Sequence, residues 1–144
     1  MTRQEKYRDT TTFKFYNANP KGRITGDCVI RAISTATGKN YWQVLDDLYV
    51  LNKATGYILN EKQCYDKYLE MTGWKKQKQP RKSNNTKYTG EEFCRFIQER
   101  LAAGDKRYQS IIAHVGGHHI VAIINGRIHD IWNSTGGCIG NYWM

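Results

Sequence analysis

Gly26-Asp27-Cys28-Val29-Ile30-Arg31-Ala32-Ile33-Ser34-Thr35-Ala36 marks the point where a polar loop stops and a helical period begins. Val29, Ala32, Ile33 and Ala36 recur at i, i+3, i+4 and i+7, the spacing of one buried helix face, and Ile30 widens that face. Asp27 stands where an N-cap belongs and Gly38 just past the end. Cys28 therefore falls in the first turn. There the unbonded N–H groups and the positive end of the helix dipole favour a thiolate, against a free thiol pKa of about 8.5. A small buried core residue is the commoner use of cysteine. The nucleophilic reading of Cys28 thus depends on what the rest of the chain brings to it.

Upstream, Met1 to Thr12 is charged and polar and reads as a flexible arm, and Thr11 to Tyr16 alternates weakly, as a short strand or an extended arm would. Asn17-Ala-Asn-Pro-Lys-Gly22 is turn chemistry that delivers the chain to Cys28. Downstream, Asn40 predicts the cap of a second helix reaching about Lys53, with Trp42, Leu45, Leu48 and Leu51 inward. A third is predicted from Asn60 to Thr72, with Cys64, Tyr65, Tyr68, Leu69 and Met71 on its apolar side and Gly73 ending it. Residues 75–88 read as a basic, solvated loop. Thr89-Gly-Glu-Glu92 is a capping box ahead of Phe93, Phe96, Ile97 and Leu101. From Tyr108 onward the period becomes extended, so strands are predicted for the last 37 residues of the 144-residue chain.

Asn125-Gly126 between two apolar runs is the strongest of these strand signals, a two-residue type I′ hairpin turn. The turn sets Ile124 opposite Arg127, Ile123 opposite Ile128 and Ala122 opposite His129, and extending the ladder brings His119 to Trp132 and His118 to Asn133. One face then carries His119, Val121, Ile123, Ile128, Asp130 and Trp132. His119 and Asp130 become diagonal neighbours, roughly 7–8 Å apart at the backbone. A carboxylate among apolar groups is costly unless paired, and pairing with imidazole is how a nucleophilic triad orients its base. With a cysteine at a helix start, the order Cys28, His119, Asp130 reads as a catalytic set, and this face is the one expected to meet Cys28. His118 and Asn133, on the other face, form a rival set.

Composition bounds the alternatives. The length suits one domain, 1–144, able to bury its own core. No run of about 18 apolar residues occurs, so no membrane contact and a cytoplasmic, soluble protein are expected. The four cysteines are far apart with no CxxC pair, which points to free thiols and to neither metal nor cofactor. The net charge of +9 is concentrated in Lys75, Lys76, Lys78, Arg81, Lys82 and Lys87, a segment suited to an acidic partner. It matches no helix-turn-helix or RNP pattern and lacks interleaved aromatics.

Asn19-Pro-Lys-Gly22, Gly26-Asp-Cys-Val-Ile-Arg-Ala32, the stretch from His119 to Gly126, and Asp130-Ile-Trp-Asn133 together resemble small papain-like cysteine peptidase-fold proteins often encoded by bacteriophages. The resemblance spans roughly residues 15–35 and 116–143. It implies an α+β papain-like fold, with N-terminal helices, the nucleophile at a helix start, and a C-terminal antiparallel sheet. It also implies Cys28 as nucleophile, His119 as general base and Asp130 as its orienter. The substrate would be a protein or peptide-like molecule, met in the host cytoplasm if the protein is phage-encoded. The papain-type glutamine before the cysteine is absent; Asn17, Asn19 and Thr25 are the nearest oxyanion donors, and Trp132 is placed to cover the His–Asp pair. A papain-fold binder that inhibits a host protein, and a basic nucleic-acid-associated factor, are the alternative functions.

Overall fold

The computed structural model describes residues 1–144, an α+β arrangement of five helices and one mixed six-stranded sheet. In chain order these are α1 (Arg3–Lys6), β1 (Phe13–Phe15), α2 (Cys28–Thr37), α3 (Tyr41–Thr55), α4 (Lys62–Met71), β2 (Lys76–Gln77), α5 (Gly90–Ala102), a 3₁₀ turn (Lys106–Tyr108), β3 (Ser110–Val115), β4 (His119–Ile124), β5 (Arg127–Asp130) and β6 (Ile139–Trp143). The strand order is β1-β5-β4-β3-β6-β2. Four strands come from the C-terminal segment, as its period predicts. The sheet is nevertheless neither wholly C-terminal nor wholly antiparallel. β1 runs parallel to β5, with Phe13 beside Ile128, and β2 pairs antiparallel with β6. Strands of two and three residues carry too few alternations to show a period.

Local chemistry sets the element ends. Gly38 closes α2 in the left-handed region, φ 73°, and Asn40 caps α3 by accepting from Trp42 N at 2.9 Å. Thr89 and Glu92 make the capping box of α5 in both directions, 3.1 and 3.0 Å. The inward face of α3 is Tyr41, Val44, Leu48 and Leu51; Leu48 and Leu51 are inward as the sequence reading has them, Leu45 is half-buried against the core, and Trp42 is exposed. Tyr41, rather than Trp42, is the inward aromatic at the helix start, and its hydroxyl donates to the buried Asp27 at 2.7 Å. Met71, expected inward on α4, is also exposed.

Two segments read as free chain are tied down. In the N-terminal arm, Thr2 and Glu5 form a capping box for α1, and Arg3 Nε donates to Ile131 O at 2.6 Å. The basic segment contains β2 and a bridge between Arg81 and Lys87. Lys76 pairs with Asp66 at 2.9 Å, and Lys82 pairs with Glu92.

Two apolar layers sandwich the sheet. On one side, Val29, Ile30 and Ile33 of α2 pack with Leu48, Tyr65, Leu69, Ile112, Ile120 and Trp143. On the other, Phe93 and Ile97 of α5 pack with Phe13, Ile111, Val121, Ile123 and Ile128. Each such side chain contributes roughly 1.5–3 kcal/mol by leaving water. The hairpin has the expected turn, with φ 50° at Asn125 and 78° at Gly126. Its ladder runs Ile124–Arg127, Ile123–Ile128, Ala122–His129 and stops there. Gly126 admits no side chain, since a Cβ would stand 2.4 Å from Gln98 Cγ. No helix is long and apolar enough to cross a membrane.

One expectation about faces is corrected. The face with Val121, Ile123 and Ile128 meets α5, whereas α2 packs on the face of Ile120. His119 and Asp130 nevertheless reach α2, because they are the first residue of β4 and the last of β5. The chain ends its pairing there.

Candidate active site

Asp27 occupies the N-cap position of α2 but makes no side-chain cap. Its carboxylate accepts instead from Arg31 Nε at 2.7 Å, Tyr41 Oη at 2.7 Å and Asn19 Nδ2 at 2.9 Å. Burial works against this charge, but the Arg31, Tyr41 and Asn19 bonds outweigh it and hold Asp27 below the usual carboxylate range. The amides of Cys28, Val29 and Ile30 consequently find no acceptor in the protein. The positive end of the helix is left open beside the Cys28 sulfur.

His119 stands close enough to that sulfur to favour its thiolate. Its Nε2 lies 2.5 Å from Asp130 Oδ2, which leaves Nδ1 as the uncommitted ring nitrogen. Burial disfavours a charged imidazole, yet the bonds to Asp130 and Cys28 prevail and raise His119 to about 9. Burial likewise opposes the Cys28 thiolate, but the His119 bond and charge, the Ile120 N–H and Arg31 outweigh it and lower the thiol. Each group stabilises the charged form of the other, which is why the thiol moves down and the imidazole up. Trp132 covers the imidazole with ring centroids 5.1 Å apart.

Asp130 is 1 % exposed and fully engaged. Oδ2 accepts from His119 and from Ser134 Oγ at 3.3 Å; Oδ1 accepts from Arg31 Nη1 at 2.9 Å and from Ile131 N at 2.7 Å. Burial alone would raise its pKa, but His119, Arg31 and the Ile131 amide keep it low. A carboxylate so satisfied remains ionised beside an imidazole, the state that orients and charges the ring.

The other sequence candidates lie apart from this set. His118 is exposed in the turn before β4. Asn133 Oδ1 accepts from Thr135 N and Oγ1 at 3.0 and 2.5 Å. The rival set is therefore not assembled. Asn19 spends its amide on Asp27 and on Tyr41 at 3.4 Å, and Asn17 Nδ2 donates to Arg23 O at 3.1 Å. Thr25 is exposed with an unbonded hydroxyl.

Arg31 is the residue to which sequence reasoning gave no role. Its signal was present: it is four residues after Asp27 and lies within the unbroken buried run Val29 to Ile33, where a cation requires partners. Ser134, Tyr41 and the Tyr65–His114 pair carry no pattern of their own. The Tyr65 hydroxyl and His114 Nε2 are 2.9 Å apart.

Compared with protein-family models, with curated proteins and with solved structures, the chain matches none.

Proposed function

We propose that this protein is a cysteine hydrolase of papain-like architecture, a peptidase, deconjugase or amidase acting on a protein or peptide-like substrate. The observation that carries the reading is the bond between His119 Nε2 and Asp130 Oδ2, with the same ring close enough to Cys28 at the start of α2 to lower its thiol.

In the proposed reaction the Cys28 sulfur attacks the substrate carbonyl carbon. The oxyanion is received by the Cys28 N–H, which no protein group occupies; such donors are worth about 10²–10³ in rate. As the C–N bond breaks, the His119 proton passes to the departing amine, leaving a thioester on Cys28. Neutral His119 then takes a proton from water, and the hydroxide attacks the thioester carbonyl. The acid leaves and the imidazolium–thiolate pair is restored. Asp130 supports the imidazolium throughout, and Arg31 keeps Asp130 ionised and in place.

The test is intact-mass detection of an acyl adduct on Cys28 during incubation with peptide, isopeptide and side-chain amide substrates. Wild type is expected to accumulate or turn over the adduct, Cys28→Ala neither. Binding without any adduct or product would favour the binder instead.

A further inference from the structure

A cleft of about 600 Å³ opens beside this site, lined by Lys62, Lys87, His114, His118, Cys138 and Asn141 among others, with no carboxylate in its wall. It adjoins the site in two ways. The turn carrying His118 runs directly into His119, and Tyr65, which holds His114 in the cleft wall, lies close enough to Cys28 for a thiolate to oppose its ionisation. The donors in the wall exceed the acceptors. Lys62 Nζ donates to Asn141 Oδ1 at 2.7 Å, which leaves Asn141 Nδ2 buried with no acceptor. Lys62 is 4.0 Å from Asp66, whose closer partner is Lys76 at 2.9 Å. Lys87 is exposed and joins no ion pair. His114 adds no charge at neutral pH, since burial first and then Lys62 push it down to about 4. Gly140 keeps one wall open; a Cβ there would stand 3.1 Å from His114 Cβ.

Resting on the reading of Cys28 as an acylating nucleophile, we infer that this cleft is a specificity subsite for an acidic side chain, Asp or Glu, of the substrate polypeptide near the scissile bond. The carboxylate would take charge-assisted bonds from Lys62 and Lys87.

The experiment incubates the protein with two peptide pools, identical except that every acidic position is Glu in one and Gln in the other, and maps cleaved bonds by mass spectrometry. The Glu pool is expected to be cleaved about tenfold faster, the factor that roughly 1.4 kcal/mol supplies, with Glu enriched at one fixed distance from the cut. In the Lys62→Gln/Lys87→Gln double variant, and in wild type at about 1 M salt, where screening is nearly complete, the ratio should fall toward one. Because the ratio is taken within each protein, a general loss of activity in the variant does not affect it. Equal cleavage of the two pools by wild type would overturn the subsite while leaving the hydrolase intact. Cleavage of neither would remove both.

Discussion

Arg31 Nη1 donates to Asp130 Oδ1 at 2.9 Å while Nε of the same guanidinium donates to Asp27 Oδ1 at 2.7 Å. One planar, permanently charged group thus joins the residue before the nucleophile to the residue behind the base, Arg31 and Asp130 being 99 positions apart in the chain. Arg31 itself is buried, and although burial disfavours its charge, the two carboxylates hold it firmly protonated. The start of α2 and the end of β5 are positioned against each other by this fork, and with them Cys28 and His119.

Arg31→Ala should therefore destabilise the fold by roughly 3–5 kcal/mol, because it strands two buried carboxylates. Arg31→Lys keeps the charge but not the fork and should recover only part. Urea denaturation followed by tryptophan fluorescence measures both. A loss below about 1 kcal/mol for Arg31→Ala, the range of an exposed pair, would mean that the fork is not closed in solution.

Asp130→Asn leaves the shape but removes the charge that supports the imidazolium. Turnover of a cleaved substrate should fall by orders of magnitude, up to about 10⁴ as in other triads. Asn133→Ala and His118→Ala should each cost far less, since neither residue touches the ring. The contrast is read in kcat/KM for the three variants side by side.

The pH profile follows from the signs of the shifts. The reactive pair needs Cys28 deprotonated and His119 protonated. With the thiol lowered and His119 raised to about 9, hydrolysis should rise on the acid side below the ordinary thiol range and fall as pH passes through about 9. Beyond that point the thiolate persists but no proton is left for the leaving amine. Asp130→Asn removes the bond that raises His119, so the alkaline limb should move to lower pH. An alkaline limb that stays in place in this variant would contradict the assignment of Asp130.

Thr89→Ala tests the fold away from the site. It removes one half of the α5 capping box and should cost about 1 kcal/mol, visible as a lower melting temperature with Cys28 chemistry unchanged. A neutral result would show α5 to be held by Phe93 and Ile97 alone.

What the sequence made legible was local. The helix start at Cys28, the Thr89 capping box and the Asn125-Gly126 register each depend on a few adjacent residues, and the structure places them where that chemistry predicts. The register brought His119 and Asp130 near each other, although the ladder itself stops at Ala122–His129. What the sequence hid was tertiary. That Tyr41 and not Trp42 turns inward on α3 goes with its bond to Asp27, fourteen residues away. β1 and β2 exist only because β5 and β6 offer them an edge. The face on which α2 lies could not be read from alternation, because His119 and Asp130 sit at strand ends, where alternation stops constraining side-chain direction. The role of Arg31 was legible only in part, since its spacing from Asp27 is local but its other partner, Asp130, lies 99 positions away.

The central claim is that Cys28 and His119 share a proton as a thiolate–imidazolium pair, and the rate of Cys28 alkylation by iodoacetamide against pH, read by intact mass, tests it most directly. The exposed Cys138 serves as internal reference and the buried Cys64 and Cys94 as silent sites. Cys28 should be modified first and should stay fast well below pH 8.5, about where a free thiol titrates. In His119→Ala its curve should move up toward that of Cys138. Modification of Cys138 ahead of Cys28, or a Cys28 curve that His119→Ala leaves in place, would contradict the pair.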